Sequence, residues 1–153
     1  MKYSVNLPVP KGWQTFREAF EEDGVDLFSF EACAPVRDED DVAPSLQIIV
    51  GRMPEDSCAK KSAIDTFMDV LGLDEDRDYD ESRDDDVREW AFKGNPAYGF
   101  ETMSDDGRVL MRNLFAEILP GVLMMLILSD ESDGGIDGLM KMVEEKLKVQ
   151  ISY

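Results

Sequence analysis

The sequence predicts an α+β fold, an antiparallel β-sheet flanked by helices on both faces. Short segments with strand patterning follow one another through brief turns, and two amphipathic helical segments lie among them. Connections this short join antiparallel neighbours, because parallel neighbours need crossovers of a dozen or more residues. The segment VLMMLILS at positions 122–129 shows no alternation, so we expect it to be buried on both faces. These observations together predict an α/β/α sandwich.

The first part of the chain is predicted to form strands. Alternation of apolar and polar residues over positions 3–7 indicates the first one. Positions 13–20 fit either a helical turn or a strand, and a hairpin is favoured because Asp23-Gly24 suits a tight turn and alternation resumes after it. A further strand is predicted over 45–53, and the polar segment VRDEDDVAP before it is expected to be a surface loop.

The first helix is predicted from four apolar residues that share one face at helical spacing. These residues are Ile64, Phe67, Met68 and Leu71. We expect Asp56 or Ser57 to cap the start of the helix by accepting from a free backbone amide. Gly72 is expected to end it in a left-handed turn.

Four strands and a second helix are predicted beyond position 86. The strands lie around Trp90 and Phe92 and over 97–103, 108–119 and 122–129, with turns between them. The second helix is predicted from a further apolar face, formed by Ile136, Leu139, Met140, Val143 and Leu147. Lys146 and Lys148 near its end suit the helix dipole.

The length and charge limit the domain count and the partners. A chain of 153 residues is predicted to form a single domain, 1–153, around one core. Its formal net charge is −18, from 34 acidic and 16 basic residues. This balance argues against binding to nucleic acid and to anionic membranes, because both present phosphates that basic side chains neutralise. A basic protein surface or metal ions remain suitable partners, and solubility alone is the simpler role for the charge.

The N terminus and the cysteines predict a cytoplasmic location. The opening segment MKYSVNLPVPKGW does not resemble a signal peptide. Cys33 and Cys58 are the only cysteines, and both are expected to be reduced. The longest apolar run, 118–128, is interrupted by Pro120 and Gly121 and is shorter than the roughly 20 residues of a spanning helix.

The residue types needed for common catalytic sites are largely missing. The chain has no histidine, which excludes Ser-His and Cys-His catalysis and histidine-bearing zinc sites. Ser57 and Lys60 match S-x-x-K, but the companion motifs S-D-N and K-T-G are absent, so a plain helix start is favoured. Cys58 is expected to be a partly buried, inert thiol. We therefore predict no catalytic residue and no cofactor.

An acidic segment occupies positions 74–86, with nine carboxylates and two arginines. Its alternating oxygen ligands resemble the start of a calcium loop. The weak metal candidates are Asp74, Asp76, Asp78 and Asp80. Tyr79 replaces the glycine and Asp85 the glutamate that an EF-hand needs, so a solvated connection is favoured. If the segment has a function, we expect Asp84, Asp85 and Asp86 to contact a positively charged partner.

One ion pair is predicted from turn chemistry. If Asp106-Gly107 forms the centre of a two-residue turn, Asp105 faces Arg108 and Glu101 falls opposite Arg112. Opposite charges at such positions stabilise neighbouring strands. We interpret Glu101 and Arg112 as a structural pair rather than as a catalytic or binding site.

The order of elements resembles a known superfamily. PKGW at positions 10–13, GNPAY at 94–98 and the closing amphipathic helix are similar to the Mog1/PsbP-like α/β/α sandwich. Its members include a Ran-GTPase-binding protein, extrinsic photosystem II subunits, bacterial chaperones of secreted effectors and bacterial families of unknown function, and we place this chain with the bacterial members. The resemblance covers most of the chain. It implies a non-enzymatic binding domain and leaves the ligand open.

Three functional hypotheses follow from the sequence. The favoured one is a binding or adaptor domain for another protein, chaperone-like or regulatory. An alternative is an acidic inhibitor of the immunity type, directed against a basic partner. A less favoured one is an enzyme built on carboxylates.

Overall fold

A computed structural model describes residues 2–35, 42–71, 87–104 and 106–152 of the chain. The strands in these ranges are β1 (Lys2–Asn6), β2 (Gln14–Glu22), β3 (Val25–Cys33), β4 (Ser45–Arg52), β5 (Arg88–Phe92), β6 (Asn95–Met103), β7 (Leu110–Leu119), β8 (Val122–Asp130) and β9 (Lys148–Ser152). The helices are α1 (Ala59–Leu71), which follows β4, and α2 (Asp133–Lys146), which follows β8.

Seven of the strands form one antiparallel sheet in the order β2-β3-β4-β8-β7-β6-β5. A separate two-stranded sheet pairs β1 with β9. The predicted α+β class, with a large antiparallel sheet and two helices, is confirmed.

The hairpin of β2 and β3 has the predicted turn. Asp23 and Gly24 have φ angles of 52° and 79°, as a type I′ turn requires, and Glu22 pairs with Val25 on either side of them. The helical alternative for positions 13–20 is therefore wrong. The positive φ angles match the right-handed twist of the two strands, so this turn also fixes their register.

The larger hydrophobic cluster joins the sheet to α2 and to the β1–β9 pair. Leu114 and Ala116 of β7 belong to it, together with Ile136 and Val143 of α2. Ser132 caps α2, because its hydroxyl accepts from the amide of Gly135 at 3.2 Å. The predicted apolar face of this helix is confirmed.

A smaller cluster joins α1 to the side chains that point the other way along the strands. Phe115 lies between Leu114 and Ala116 in sequence, yet it packs with Ala63 and Ile64 of α1. Successive strand residues point to opposite faces, which explains the change of partner. The ring of Phe67 meets that of Phe100 edge-on, with centroids 5.0 Å apart. Helix α1 packs mainly on β6 and β7.

Strand β8 corrects one prediction. Its residues alternate between buried and partly exposed, so the expectation that 122–129 is buried on both faces is wrong. Met124 and Leu126 are fully buried in the larger cluster, whereas Leu123 and Met125 are only partly covered. The reason is the position of α1, which packs mainly on β6 and β7, so that Leu123 and Met125 pack against the smaller cluster without being buried by it.

The start of α1 differs from the prediction as well. The carbonyl of Cys58 accepts from the amide of Ser62, and its sulfur accepts from the amide of Lys61. Cys58 therefore occupies the capping position expected of Asp56 or Ser57. Cys58 is also exposed, so the expectation of a partly buried thiol is wrong.

Strand β9 was not predicted. Val149 and Ile151 alternate with polar residues and pair with Val5 and Tyr3 of β1. The pattern is only five residues long and follows directly on α2, so local periodicity does not separate it from the helix end.

Several predicted features lie outside the described residues. They are most of the VRDEDDVAP loop, Gly72, Asp105, which was expected to face Arg108, and the acidic segment, with Asp74, Asp76, Asp78 and Asp80 and with Asp84, Asp85 and Asp86. In the described ranges, no helix has the length and apolar character to span a membrane.

Candidate functional site

The structure describes the surroundings of Ser57, Lys60 and the two cysteines, whereas the metal candidates of the acidic segment lie outside the described residues. Ser57 has the Ser62 hydroxyl as its neighbour, with the oxygens 3.4 Å apart, and Lys60 is exposed. Cys33 and Cys58 are free thiols. Within the described ranges, no group of three or more Cys, Asp or Glu residues is arranged to hold a metal ion.

The predicted pair of Glu101 and Arg112 is confirmed. The two residues are directly opposite in the register of β6 and β7. Arg112 is 4% exposed; its Nη2 lies 3.4 Å from Glu101 Oε2, and its Nη1 donates to Asp137 Oδ1 of α2 at 2.8 Å. One guanidinium thus joins β6 and β7 to α2.

Two further residues complete this network. Arg88 of β5 also pairs with Glu101. The guanidinium carbons of Arg88 and Arg112 lie 4.9 and 5.0 Å from the ring centroid of Trp90, a cation–π arrangement. The network connects β5, β6, β7 and α2, which supports a structural role.

Tyr98 lies in a depression of about 610 Å³ near the start of α1, beside Cys58 and Glu117. Desolvation raises the pKa of its phenol, and the charge of Glu89 acts in the same direction. The depression therefore offers a phenol hydroxyl as a hydrogen-bonding group.

The turn between β6 and β7 holds a carboxylate of altered acidity. Asp106 accepts hydrogen bonds from the Ser104 hydroxyl and from the Arg108 amide, and these bonds lower its pKa below the ordinary 3.8. Because the pKa of the Asp106 carboxyl is lower in the folded than in the unfolded chain, its ionised form contributes fully to the free energy of unfolding at pH values above the ordinary pKa. This contribution is lost as the pH falls from the ordinary pKa through the lowered one.

We expect Asp106→Asn to remove this contribution. The free energy of unfolding should fall slightly at neutral pH, and its decline on acidification below pH 3.8 should become shallower than in the parent protein. Urea unfolding at several pH values measures both effects. Glu145→Gln, at an exposed position of α2, controls for the loss of one negative charge. Equal acid sensitivity of Asp106→Asn and the parent would contradict the prediction.

The most distinctive surface is the part of the sheet that α1 leaves open. On this face the side chains of β2, β3, β4 and β8 alternate with those of the larger cluster. We call this surface the open face. Its apolar members are Phe16, Phe20, Leu27, Ile49, Leu123, Met125 and Ile127.

A groove of about 520 Å³ lies on the open face. Its floor is apolar and is formed by Leu27, Ile49, Gly51, Leu123 and Met125, which we call the groove floor. Gly51 leaves room for the Leu27 side chain, whose Cδ2 would have to move if a Cβ were present at this position. A glycine inside a strand commonly marks such a close approach.

The rim of the groove is acidic. Glu22, Asp23 and Glu55 line it, against a single positive charge from Arg52. The opening therefore favours ligands that combine apolar groups with positive charge.

A smaller depression of about 290 Å³ continues the open face towards the other end of the strands. Phe16, Gln47 and Ile127 line it, and the Phe16 side chain is 62% exposed. Glu31 also lines this depression and gives it a negative charge. Its Oε1 accepts a hydrogen bond from Gln47 at 3.0 Å.

Sequence patterns did not reveal this surface. In VLMMLILS both sets of alternate residues are apolar, so periodicity does not show which set a helix covers. The one local signal was Gly51, a glycine that follows the β-branched run Ile48, Ile49 and Val50 inside β4.

No protein-family model and no curated protein matches the chain. Two solved structures are similar to it. The solution structure of cyanobacterial PsbP (CyanoP) from Synechocystis has 17% sequence identity, covers 97% of this chain and 92% of that one, and gives a TM-score of 0.52. The crystal structure of LpqN, involved in cell envelope biogenesis of Mycobacterium tuberculosis, has 15% identity, covers 97% of this chain and 84% of that one, and gives a TM-score of 0.43.

At these identities the comparison with PsbP establishes the fold and nothing finer. It agrees with the resemblance drawn from PKGW, GNPAY and the closing helix. The chain therefore has the PsbP-like fold.

Proposed function

We propose that the protein is a non-enzymatic binding domain that holds a cationic, amphipathic segment of a partner protein on its open face. The observation that carries this proposal is the groove, with an apolar floor and an acidic rim on a sheet face that α1 leaves open. A groove of about 520 Å³ with an apolar lining and a few charged groups is typical of ligand-binding sites in proteins.

The apolar floor is the source of affinity in this proposal. Leu123, Met125 and Ile49 are partly exposed, and a partner side chain that covers them removes apolar surface from water. Met125 has an adaptable side chain, which suits a surface that accepts more than one apolar shape.

The charge selects the partner. The rim carboxylates and a net charge of −18 attract Lys and Arg residues that flank apolar groups, and they repel acidic segments. Association should therefore weaken as salt is added, because ions screen exposed charges.

We also assign the layers of the fold and the location of the protein, and we compare the alternative function. We place α1 and α2 on opposite faces of the sheet, as in an α/β/α sandwich, because Phe115 packs with α1 while its neighbour Leu114 lies in the cluster of α2. We also place the protein in the cytoplasm, in keeping with its two free thiols. An immunity-type inhibitor would use the same acidic charge, but the groove favours an amphipathic segment over a purely basic surface.

A synthetic peptide in which Leu and Lys alternate tests this function. We expect saturable binding to the full chain in a fluorescence anisotropy titration, with weaker binding at higher salt. The matched peptide of alternating Leu and Glu should not bind. Equal binding of the two peptides would overturn the charge selection, and absence of binding by both would overturn the proposal.

Met125→Glu should weaken binding of the Leu–Lys peptide at least tenfold, equivalent to about 1.4 kcal/mol, because it introduces a charge into the groove floor. The matched control is Met103→Glu, at a residue 55% exposed outside the groove lining. Both variants add the same negative charge, so non-specific attraction of the cationic peptide is increased equally. Similar affinities of the two variants would show that the peptide does not enter the groove.

A further inference from the structure

We propose that the partner's segment binds as an additional β-strand on the free edge of β2, with the residues beyond that strand entering the groove. This inference rests on the proposed function and assigns the way in which the partner is held. It begins from the place of β2 in the sheet. In the described part of the chain β2 has β3 as its only sheet neighbour. It is nine residues long, whereas the opposite edge strand, β5, has five.

The backbone of β2 has groups available for a further strand. The two-residue turn makes Glu22 and Val25 a hydrogen-bonded pair, and such pairs alternate along an antiparallel ladder. The residues between these pairs direct their N–H and C=O groups away from β3. They are Thr15, Arg17, Ala19 and Glu21, so four donors and four acceptors face the free edge.

Few of the features that block edge strands occur in β2. Its sequence, QTFREAFEE, contains no proline and no lysine, and its pairing with β3 runs over nine residues without a bulge. Arg17 is occupied elsewhere, because its guanidinium lies 5.0 Å from the ring centroid of the buried Phe30. What protects the edge is negative charge.

The negative charge of β2 determines which kind of strand can pair with its free edge. Glu18, Glu21 and Glu22 oppose an acidic strand and a second copy of β2, since like charges on facing strands are destabilising. A strand with Lys or Arg opposite Glu18 and Glu22 would be stabilised instead. We therefore assign the edge to a basic partner strand rather than to a second copy of this chain.

The edge and the groove belong to one surface. Phe16, Glu18, Phe20 and Glu22 point to the open face, and Phe20 lies directly opposite Leu27 of the groove floor. Glu22 itself lines the groove. A strand added along β2 thus ends beside the groove, where apolar residues that follow it can enter.

The probe for this mode is the synthetic nonapeptide KTVTKTVTK, compared with ETVTETVTE. Amide hydrogen exchange of the full chain, read by NMR, has a distinctive expected pattern. The Lys peptide should slow exchange at Thr15, Arg17, Ala19 and Glu21 at least tenfold, while the alternate amides of β2, already bonded to β3, change little. The Glu peptide should leave all of them unchanged. Uniform protection along β2, or protection by both peptides, would overturn the inference.

Ala19→Pro provides the mutational test. It removes an outward N–H without removing a bond to β3, so the fold should persist while affinity for the Lys peptide falls at least tenfold. Ala19→Thr keeps the N–H and should bind as the parent does. Unchanged affinity of a folded Ala19→Pro variant would overturn the inference.

A second variant covers the case in which proline disturbs β2. Glu18→Lys combined with Glu22→Lys leaves the backbone intact and should exchange the preference, so that ETVTETVTE binds and KTVTKTVTK does not. An unchanged preference would contradict the addition of a strand to β2.

The addition of a strand to β2 and the proposed function can fail separately. A Leu–Lys peptide that contacts the groove while the β2 amides stay unprotected removes only the addition of a strand to β2. Loss of binding at both places removes the proposed function.

Discussion

Gly99→Ala is expected to lower the free energy of unfolding by about 3 kcal/mol, the upper end of the usual cost of overpacking. Gly99 lies in β6, opposite Leu114 of β7. A Cβ at this position would overlap the carbonyl oxygen of Asn113 and lie 2.8 Å from its carbonyl carbon. Because these are backbone atoms of the central part of the sheet, β6 and β7 must separate to admit the methyl group.

Gly138→Ala is the matched control for this prediction. The same methyl group is added in α2, where an added Cβ meets nothing within 4 Å. We expect this variant to be more stable than the parent by about 0.5–1 kcal/mol, since alanine costs less conformational entropy in a helix. Urea unfolding of the two variants measures the opposite signs. A Gly99→Ala variant as stable as the parent would show that the sheet does not approach so closely.

Arg112→Met is expected to cost about 3 kcal/mol of stability, the lower end of the range for breaking a buried ion pair. Arg112 contacts Glu101 and Asp137, and its loss leaves Glu101 largely buried with Arg88 as its remaining cation. The cost stays at the lower end because Asp137 is 68% exposed and regains water. The packing against Trp90 is also reduced.

A double-mutant cycle separates the ion pair from the packing. Combining Arg112→Met with Glu101→Gln should cost less than the sum of the single changes, because the second substitution removes the uncompensated charge. Arg112→Lys should recover part of the loss, as it keeps the charge without the planar fork that reaches two carboxylates. Strict additivity of the two changes would contradict a coupled network.

The elements were largely predictable because their signals are local. The Asp23-Gly24 turn and the alternation after it predicted the hairpin of β2 and β3. The register that pairs Glu101 with Arg112 was predicted from charge and a turn centred on Asp106-Gly107, although the turn itself differs, because the Gly107 amide donates to the Ser104 carbonyl. Where the signal was short, as in β9, or ambiguous, as at the start of α1, the prediction failed.

The candidate site was not predictable because it depends on long-range packing. Whether Met125 is covered is decided by where α1 lies on the sheet, and nothing within VLMMLILS encodes that position. The groove floor likewise forms from residues of three strands, β3, β4 and β8, that are adjacent only after folding. Composition indicated a basic partner, but it directed attention to the acidic segment rather than to the rim of the groove.

Neighbouring methionines on β8 allow the most direct test of the open face as the binding surface. Met125 lies on the groove floor, whereas Met124 is fully buried on the opposite face of the same strand. With methionine methyl groups labelled for NMR, titration with the Leu–Lys peptide should shift the Met125 signal in a saturable manner. The Met124 and Met103 signals should remain in place. Saturable binding that leaves Met125 unmoved, or that shifts Met103 as strongly, would contradict the account.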